Sequence, residues 1–348
     1  MWRKRQKGLS AMALFLFVLL LFLFFQKKSE EKTEIYKRAD VLMGTDFYGT
    51  VYGGNEDVLP ELAERLRSLE TEQLSWREES SEIGKINSAS GKGLGENISE
   101  ETFGYLKAIL DIAKKSEGAL DPTIGNVSRL WDFGGVGERL PEKEEIETGI
   151  EKTGYEKLQV ENGIISLPEG MSLDLGATGK GIGADVAADF IKEQDGIEGA
   201  VIALGGSIAL IGNKPDQTWW NLAIVNPRGE EGEMLGVLKL QGEHFISTSG
   251  DYEKYFMVDG KRYHHILNPH TGYPAESGLI SVTIVCDSGL KSDGLSTACF
   301  VLGLEKGMEL IREYGAEGIL VDEEKNVYIT RGLKDFFDLK DESYQIVE

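Results

Sequence analysis

Three of the four histidines in this 348-residue chain, His264, His265 and His270, fall within one stretch, "GKRYHHILNPHTGYPA". Imidazoles bind metals or move protons near neutral pH. On an extended strand adjacent side chains point to opposite faces, so only one of His264 and His265 can look into a given site. His270 follows Pro269 in an "NPHTG" turn, where exposure is the simplest expectation. A three-histidine zinc centre needs ligands that converge on one point, and this spacing disfavours it. A single histidine beside a bound phosphate suits proton transfer or nucleophilic attack better.

Two other stretches could meet a phosphate. In "SGLKSDGLSTACFVLGL", Asp293 and Thr297 stand four apart on one helical face, and their oxygens suit a hard cation such as Mg²⁺. The plainer reading, a capping Asp and a Thr bonded back to its own helix, is the stronger one for this pair alone. In "SLDLGATGKGIGADVAADFIKEQDGIEGAVIALGG", the residue after Lys180 is Gly181, where a phosphate-binding P-loop needs Ser or Thr. Gly179, Gly181 and Ala184 fit G-x-G-x-x-A, but the next strand ends without the acid that grips a ribose. What remains is a strand-to-helix turn, flanked by Asp174 and Lys180, that either offers amides and a cation to an anion or simply packs.

Charge frames the problem those groups must solve. Lys and Arg total 37 against 59 Asp and Glu, a formal charge of −22, so nucleic acid is excluded as a partner and any anionic ligand needs local cationic help. At 41% hydrophobic and 28% charged residues, the chain is globular. Arg3, Lys4, Arg5 and Lys7 precede an apolar run from Ala11 to Phe25. We expect an uncleaved signal anchor and linker over residues 1–35: a single-pass N-terminal membrane segment with the remainder outside the cytoplasm. Cys286 and Cys299 lie in a strand-like and a helical run, where each packs as a small apolar residue rather than bridging.

The elements that must carry these residues follow from periodicity. "MGTDFYGTVYGG" alternates as a strand or hairpin, and 55–76 has helical spacing with Asn55 or Asp57 as cap. Helices are expected near 99–116, 180–194, 288–303 and 304–314. Between 197 and 286, short alternating runs broken by Gly, Asn and Pro imply an antiparallel sheet, and a terminal strand pair closes the chain. The class is α+β.

Taken together, "MGTDF", "GALDPTIGNVSRLWDFG", "LDLGATGKGIGAD", "ALGGS", "STSGDYEKYF", "HHILNPHTGYPA" and "SDGLSTACF" resemble, in order and spacing, the FAD:protein FMN transferases of the ApbE family. The resemblance covers nearly everything from about residue 40 to 330. It implies an ApbE-like (T-fold-like) architecture of mixed and antiparallel sheets with packed helices. Residues 36–340 would form a single domain whose two lobes hold FAD between them. The implied activity moves the FMN part of FAD, as a phosphoester, onto a Thr or Ser of an acceptor redox protein, releasing AMP and using Mg²⁺.

The implied site follows by position. Met43, Trp76, Ala119, Leu120, Asp121, Asp174, Lys180, Ile266 and Leu267 would contact FAD. Ala177, through its backbone oxygen, Asp293 and Thr297 would hold the metal, and His265 would be catalytic. Asn268 stands where the family more usually has Asp, leaving open whether a carboxylate that orients the histidine is missing. Two rival functions are an exported FAD-binding module without chemistry, and a Mg²⁺-dependent hydrolysis of FAD to FMN and AMP.

Overall fold

The short apolar runs between residues 197 and 286 fold as strands: Trp220–Val225 buries every second residue, whereas Leu279–Cys286 is covered on both faces. The computed structural model describes residues 33–93, 95–161 and 164–347. The expected anchor, Ala11–Phe25, lies outside the described residues. Among those described, no helix is long and apolar enough to cross a membrane.

Nine strands form the main sheet, in the order Ile35–Leu42, Thr45–Gly53, Ile197–Leu204, Ser207–Gly212, His244–Gly250, Leu279–Cys286, Glu317–Asp322, Asn326–Ile329 and Gln345–Val347. The last pair runs parallel, so the sheet is mixed. A three-stranded sheet, with order Phe337–Leu339, Met234–Leu240, Trp220–Val225, shares an apolar core with the far side of the main sheet. Tyr255–Val258 and Lys261–His264 make a separate hairpin.

Eight helices are described: α1 Val58–Ser68, α2 Glu82–Ser88, α3 Glu100–Lys115, α4 Gly125–Trp131, α5 Lys143–Glu151, α6 Gly176–Lys192, α7 Gly289–Leu302 and α8 Leu304–Glu313. Ser81 and Ser99 cap α2 and α3 by accepting the N–H groups of Gly84 and Thr102. Asp57 stands at the start of α1 without a side-chain cap bond; its own N–H goes to Asn55 Oδ1. Strand Ile35–Leu42 and helices α2, α4 and α5 are absent from the sequence expectations. Charges break the pattern of the first, and the helices, of 7, 7 and 9 residues, are too short to show a period.

The glycine-rich stretch corrects its sequence reading. It is not a turn before a helix; α6 already begins at Gly176, so Gly179, Gly181 and Gly183 are helical. Nor is it part of a parallel β-α-β unit, since Ile197–Leu204 pairs antiparallel on both sides. The glycines serve close packing. A Cβ at Gly181 would sit 2.1 Å from the Gly289 carbonyl oxygen, and one at Gly289 would sit 2.2 Å from the Gly181 carbonyl oxygen. Helices α6 and α7 therefore touch backbone to backbone. Asp185 of α6 locks the crossing: its carboxylate accepts the N–H groups of Gly289 and Leu290 and the Ser288 hydroxyl, at the positive end of α7. Cys286 and Cys299 are both free thiols, on a strand and within α7 respectively.

Candidate active site

A cavity of about 970 Å³ opens beside the α6–α7 crossing, and its lining includes most of the residues singled out above. Met43 sits at a two-residue turn with Gly44, both with positive φ, the geometry that closes a tight hairpin. Its N–H donates to Glu70 Oε2, and its sulfur packs where a Cβ on Gly183 would otherwise project. Trp76 follows a π-helical stretch, Leu69–Leu74, and two guanidiniums lie over its ring, Arg77 at 3.9 Å and Arg129 at 4.9 Å from the centroid.

The next wall is the loop Ala119–Asp121. Asp121 is buried with both carboxylate oxygens used: Oδ1 accepts from Thr123 N and Oγ1, and Oδ2 from Tyr155 N. Burial raises its pKa despite these bonds, and the carboxylate shapes the loop. Asp174 lines the cavity and accepts the Gly176 N–H at the first turn of α6.

On the α6–α7 face, Lys180 Nζ lies 3.6 Å from Asp293 Oδ1. The Asp293 carboxylate raises the pKa of Lys180 and outweighs the desolvation that opposes it, so Lys180 stays charged. Asp293 itself is 2% exposed and stands behind Lys180 rather than on the cavity surface. Its Oδ2 accepts the Gly181 N–H at 2.9 Å. One turn later, Thr297 reaches the cavity, with Oγ1 3.3 Å from Ser249 Oγ. Ser249 also pairs with Ser296, so a strand hydroxyl fixes that turn of α7.

Opposite stands the histidine segment. His264 is buried against the Phe300 ring; its Nε2 donates to the Ala275 carbonyl and its Nδ1 accepts the Ile266 N–H. Both nitrogens are committed, and burial lowers its pKa, so it is a neutral structural residue. His265 points the other way, into the cavity. Its Nδ1 lies 3.3 Å from the Lys254 carbonyl, which can only accept, so Nδ1 carries the proton and Nε2 keeps its lone pair. Burial first, then the Lys180 charge, pushes its pKa down to about 3. Ile266 and Leu267 continue this wall. His270 is exposed, as its turn suggests, although its Nε2 bonds the Glu117 carbonyl.

Asn268 answers the question left by its sequence position. Its Oδ1 accepts the His270 N–H and its backbone bonds Tyr273, Thr271 and Gly272. It builds the turn, and the Lys254 carbonyl orients His265.

Residues 43–320 match the family model described as the ApbE family. This chain belongs to the ApbE family. The FAD:protein FMN transferase of Vibrio cholerae is 35% identical over 249 residues, spanning 70% of this chain and 73% of that protein. The structure of the ApbE protein of Thermotoga maritima aligns with a TM-score of 0.76 at 30% identity, over 87% of this chain and 99% of that one. The apo flavinyl transferase ApbE of Pseudomonas stutzeri gives 0.77 at 29%, over 89% and 98%. The α+β architecture of mixed sheets and packed helices is thus an ApbE-like fold.

In this ApbE chain the donors assigned to a divalent cation are of the right kind, a carboxylate, a hydroxyl and a carbonyl. The Gly181 N–H, one helical turn on from the cavity-lining Ala177, donates to Asp293 Oδ2, so that carboxylate lies against the turn that carries Ala177. Asp293 and Thr297, one turn apart on α7, and the cavity-lining Ala177 thus offer oxygen donors of the kind a hard ion takes. Among the described residues, no group of three or more His, Cys, Asp or Glu side chains gathers around one point. Arg77, Glu253 and the Lys254 carbonyl are cavity groups to which sequence reasoning gave no role. Glu253 and Lys254 do lie within the quoted "STSGDYEKYF".

Proposed function

We propose that this protein transfers the FMN part of FAD to a Thr or Ser hydroxyl of an acceptor redox protein, releasing AMP, and that it does so outside the cytoplasm, held to the membrane by its N-terminal segment. One observation carries the chemistry: a neutral imidazole with a free nitrogen faces a charged lysine backed by a buried carboxylate, across a cavity at the upper end of small-molecule site volumes. The relatives named FAD:protein FMN transferase support the same reading. The apolar run at Ala11–Phe25, preceded by four basic residues, supports the anchor.

FAD is the substrate. Trp76, Met43 and the loop Ala119–Asp121 bind one end of it, with Ile266 and Leu267 opposite, and Asp174 and Lys180 meet its polar groups. The Lys180 ammonium offsets the diphosphate charge that this acidic chain otherwise repels. Mg²⁺ held by Asp293, Thr297 and the Ala177 carbonyl would supply further charge neutralisation at the diphosphate. The acceptor hydroxyl attacks the FMN phosphorus; the new O–P bond forms as the bond to the bridging oxygen breaks, and AMP leaves with that oxygen and its electron pair. His265 Nε2 takes the hydroxyl proton. An imidazole held at about 3 is a weak base in the empty cavity. A bound diphosphate raises it, since the anion screens Lys180 and favours the imidazolium.

The test incubates purified protein with FAD, Mg²⁺ and a candidate acceptor domain, and follows mass and nucleotide products. An FMN adduct on the acceptor with equimolar AMP is expected. AMP without an adduct would replace the transferase with a hydrolase, and binding without either product would leave a carrier.

A further inference from the structure

The cavity has a wall that no assigned residue occupies. Leu222, Ala223, Ile224 and Val225, with Ile208 and Ile246 beside them, line it together with His265. The first four belong to Trp220–Val225, the outer strand of the three-stranded sheet, which pairs only with Met234–Leu240 among the described residues.

Backbone directions on this edge can be read from the other side of the sheet. Lys239 donates its N–H to Phe336, and Leu235 accepts from Lys340, so the odd-numbered residues of the middle strand turn away from Trp220–Val225. Asn221 faces Lys239 and Ala223 faces Val237. In an antiparallel ladder such pairs exchange no bonds, so the N–H and C=O groups of Asn221 and Ala223 point outward along the free edge. Side chains there are neutral, and Val225 is 50% exposed. Proteins guard free edges with charge, proline or brevity. Every other edge strand described is four residues or shorter, or, at Ile35–Leu42, carries Lys37, Arg38 and Asp40. This six-residue edge has no such guard, and four of its residues line the same cavity as His265.

We infer that Trp220–Val225 is the acceptor subsite: the acceptor protein presents its hydroxyl on an extended segment that adds to this edge as a further strand. The inference rests on the transferase reading and names how its protein substrate is held. Outward backbone groups that recur at every second residue match the repeat of an extended polypeptide. The wall's aliphatic side chains accept alternate side chains of that segment, and a hydroxyl on the segment enters the cavity that His265 also lines.

The test uses a purified redox domain of the host that gains an FMN mass adduct from the unsubstituted protein. Ala223→Pro removes one outward N–H and keeps the bonds to Met234–Leu240, which proline tolerates on an open edge. The KM for that domain should rise about tenfold, as expected for one or two lost hydrogen bonds, with FAD affinity unchanged. In the unsubstituted protein, amide exchange at Asn221 and Ala223 should slow on adding the domain and not on adding FAD alone. This second readout stands even where the proline variant fails to fold. An unchanged acceptor KM with no slowed exchange overturns the inference, and protection by FAD alone reassigns the wall to the dinucleotide. If the unsubstituted protein modifies none of the host's redox domains, the transferase reading fails and this inference falls with it.

Discussion

The two walls that face each other across the cavity are built by opposite means. On one, α6 and α7 meet backbone to backbone at Gly181 and Gly289, and Asp185 ties the crossing from outside. Lys180, Asp293 and Thr297 ride on that contact with little freedom to move. On the other, adjacent histidines share a strand end, and hydrogen bonds alone separate their roles. His264 spends both nitrogens on backbone, whereas His265 spends one, on a bond of 3.3 Å. The charge-holding wall is thus fixed by packing, which a single methyl disrupts. The proton-handling wall is fixed by electrostatics, which pH and a neighbouring charge can tune.

The largest effect should come from the rigid wall. Asp293→Ala removes the partner of Lys180 and the acceptor of the Gly181 N–H, and transfer should fall by about 10³-fold or more while FAD binding only weakens. A steady-state comparison of rate and FAD affinity checks this, and an unaltered rate would break the contrast between the walls.

The tunable wall predicts a pH signature. In the free protein His265 stays neutral until its pKa of about 3, so its acid limb in kcat/KM should lie far below the ordinary histidine range near 6.5. The sign follows from cause: burial and the Lys180 charge both disfavour the imidazolium. Lys180→Met should therefore move that limb upward, and a limb that stays put would remove Lys180 from the account.

Packing predicts a smaller, paired result. Gly181→Ala places a methyl against the Gly289 carbonyl oxygen and the Asp293 side chain, and should cost about 1–3 kcal/mol of stability. Gly179→Ala, two residues away on the same helix, meets nothing within 4 Å and should stabilise the protein by up to about 1 kcal/mol. Thermal unfolding of the two variants side by side measures the difference; equal and opposite movement from expectation would mean the helices do not cross as closely as drawn.

Much of this was legible in the sequence, unevenly. Alternation marked the strands from Ile197 to Cys286, and the spacing of Asp293 and Thr297 placed both on one helical face. The opposed directions of His264 and His265 match the alternation expected of extended chain, although the strand itself ends at His264. Local pattern misread the glycines of α6, because a helix with so many looks like a loop until the partner backbone that requires them is known. The roles of Asp185, Ser249 and the Lys254 carbonyl were hidden for a related reason: each depends on a contact distant in sequence, and a backbone carbonyl leaves no trace in residue type. The free edge at Trp220–Val225 needed the register of its neighbours before its outward groups could be identified.

A structure determined with bound FAD tests the central claim most directly. The account predicts the diphosphate within hydrogen-bonding reach of Lys180 Nζ, with the FMN phosphorus lying between that ammonium and the unprotonated nitrogen of His265. A diphosphate bound away from Lys180 and Asp293, with His265 facing no phosphorus, would contradict it.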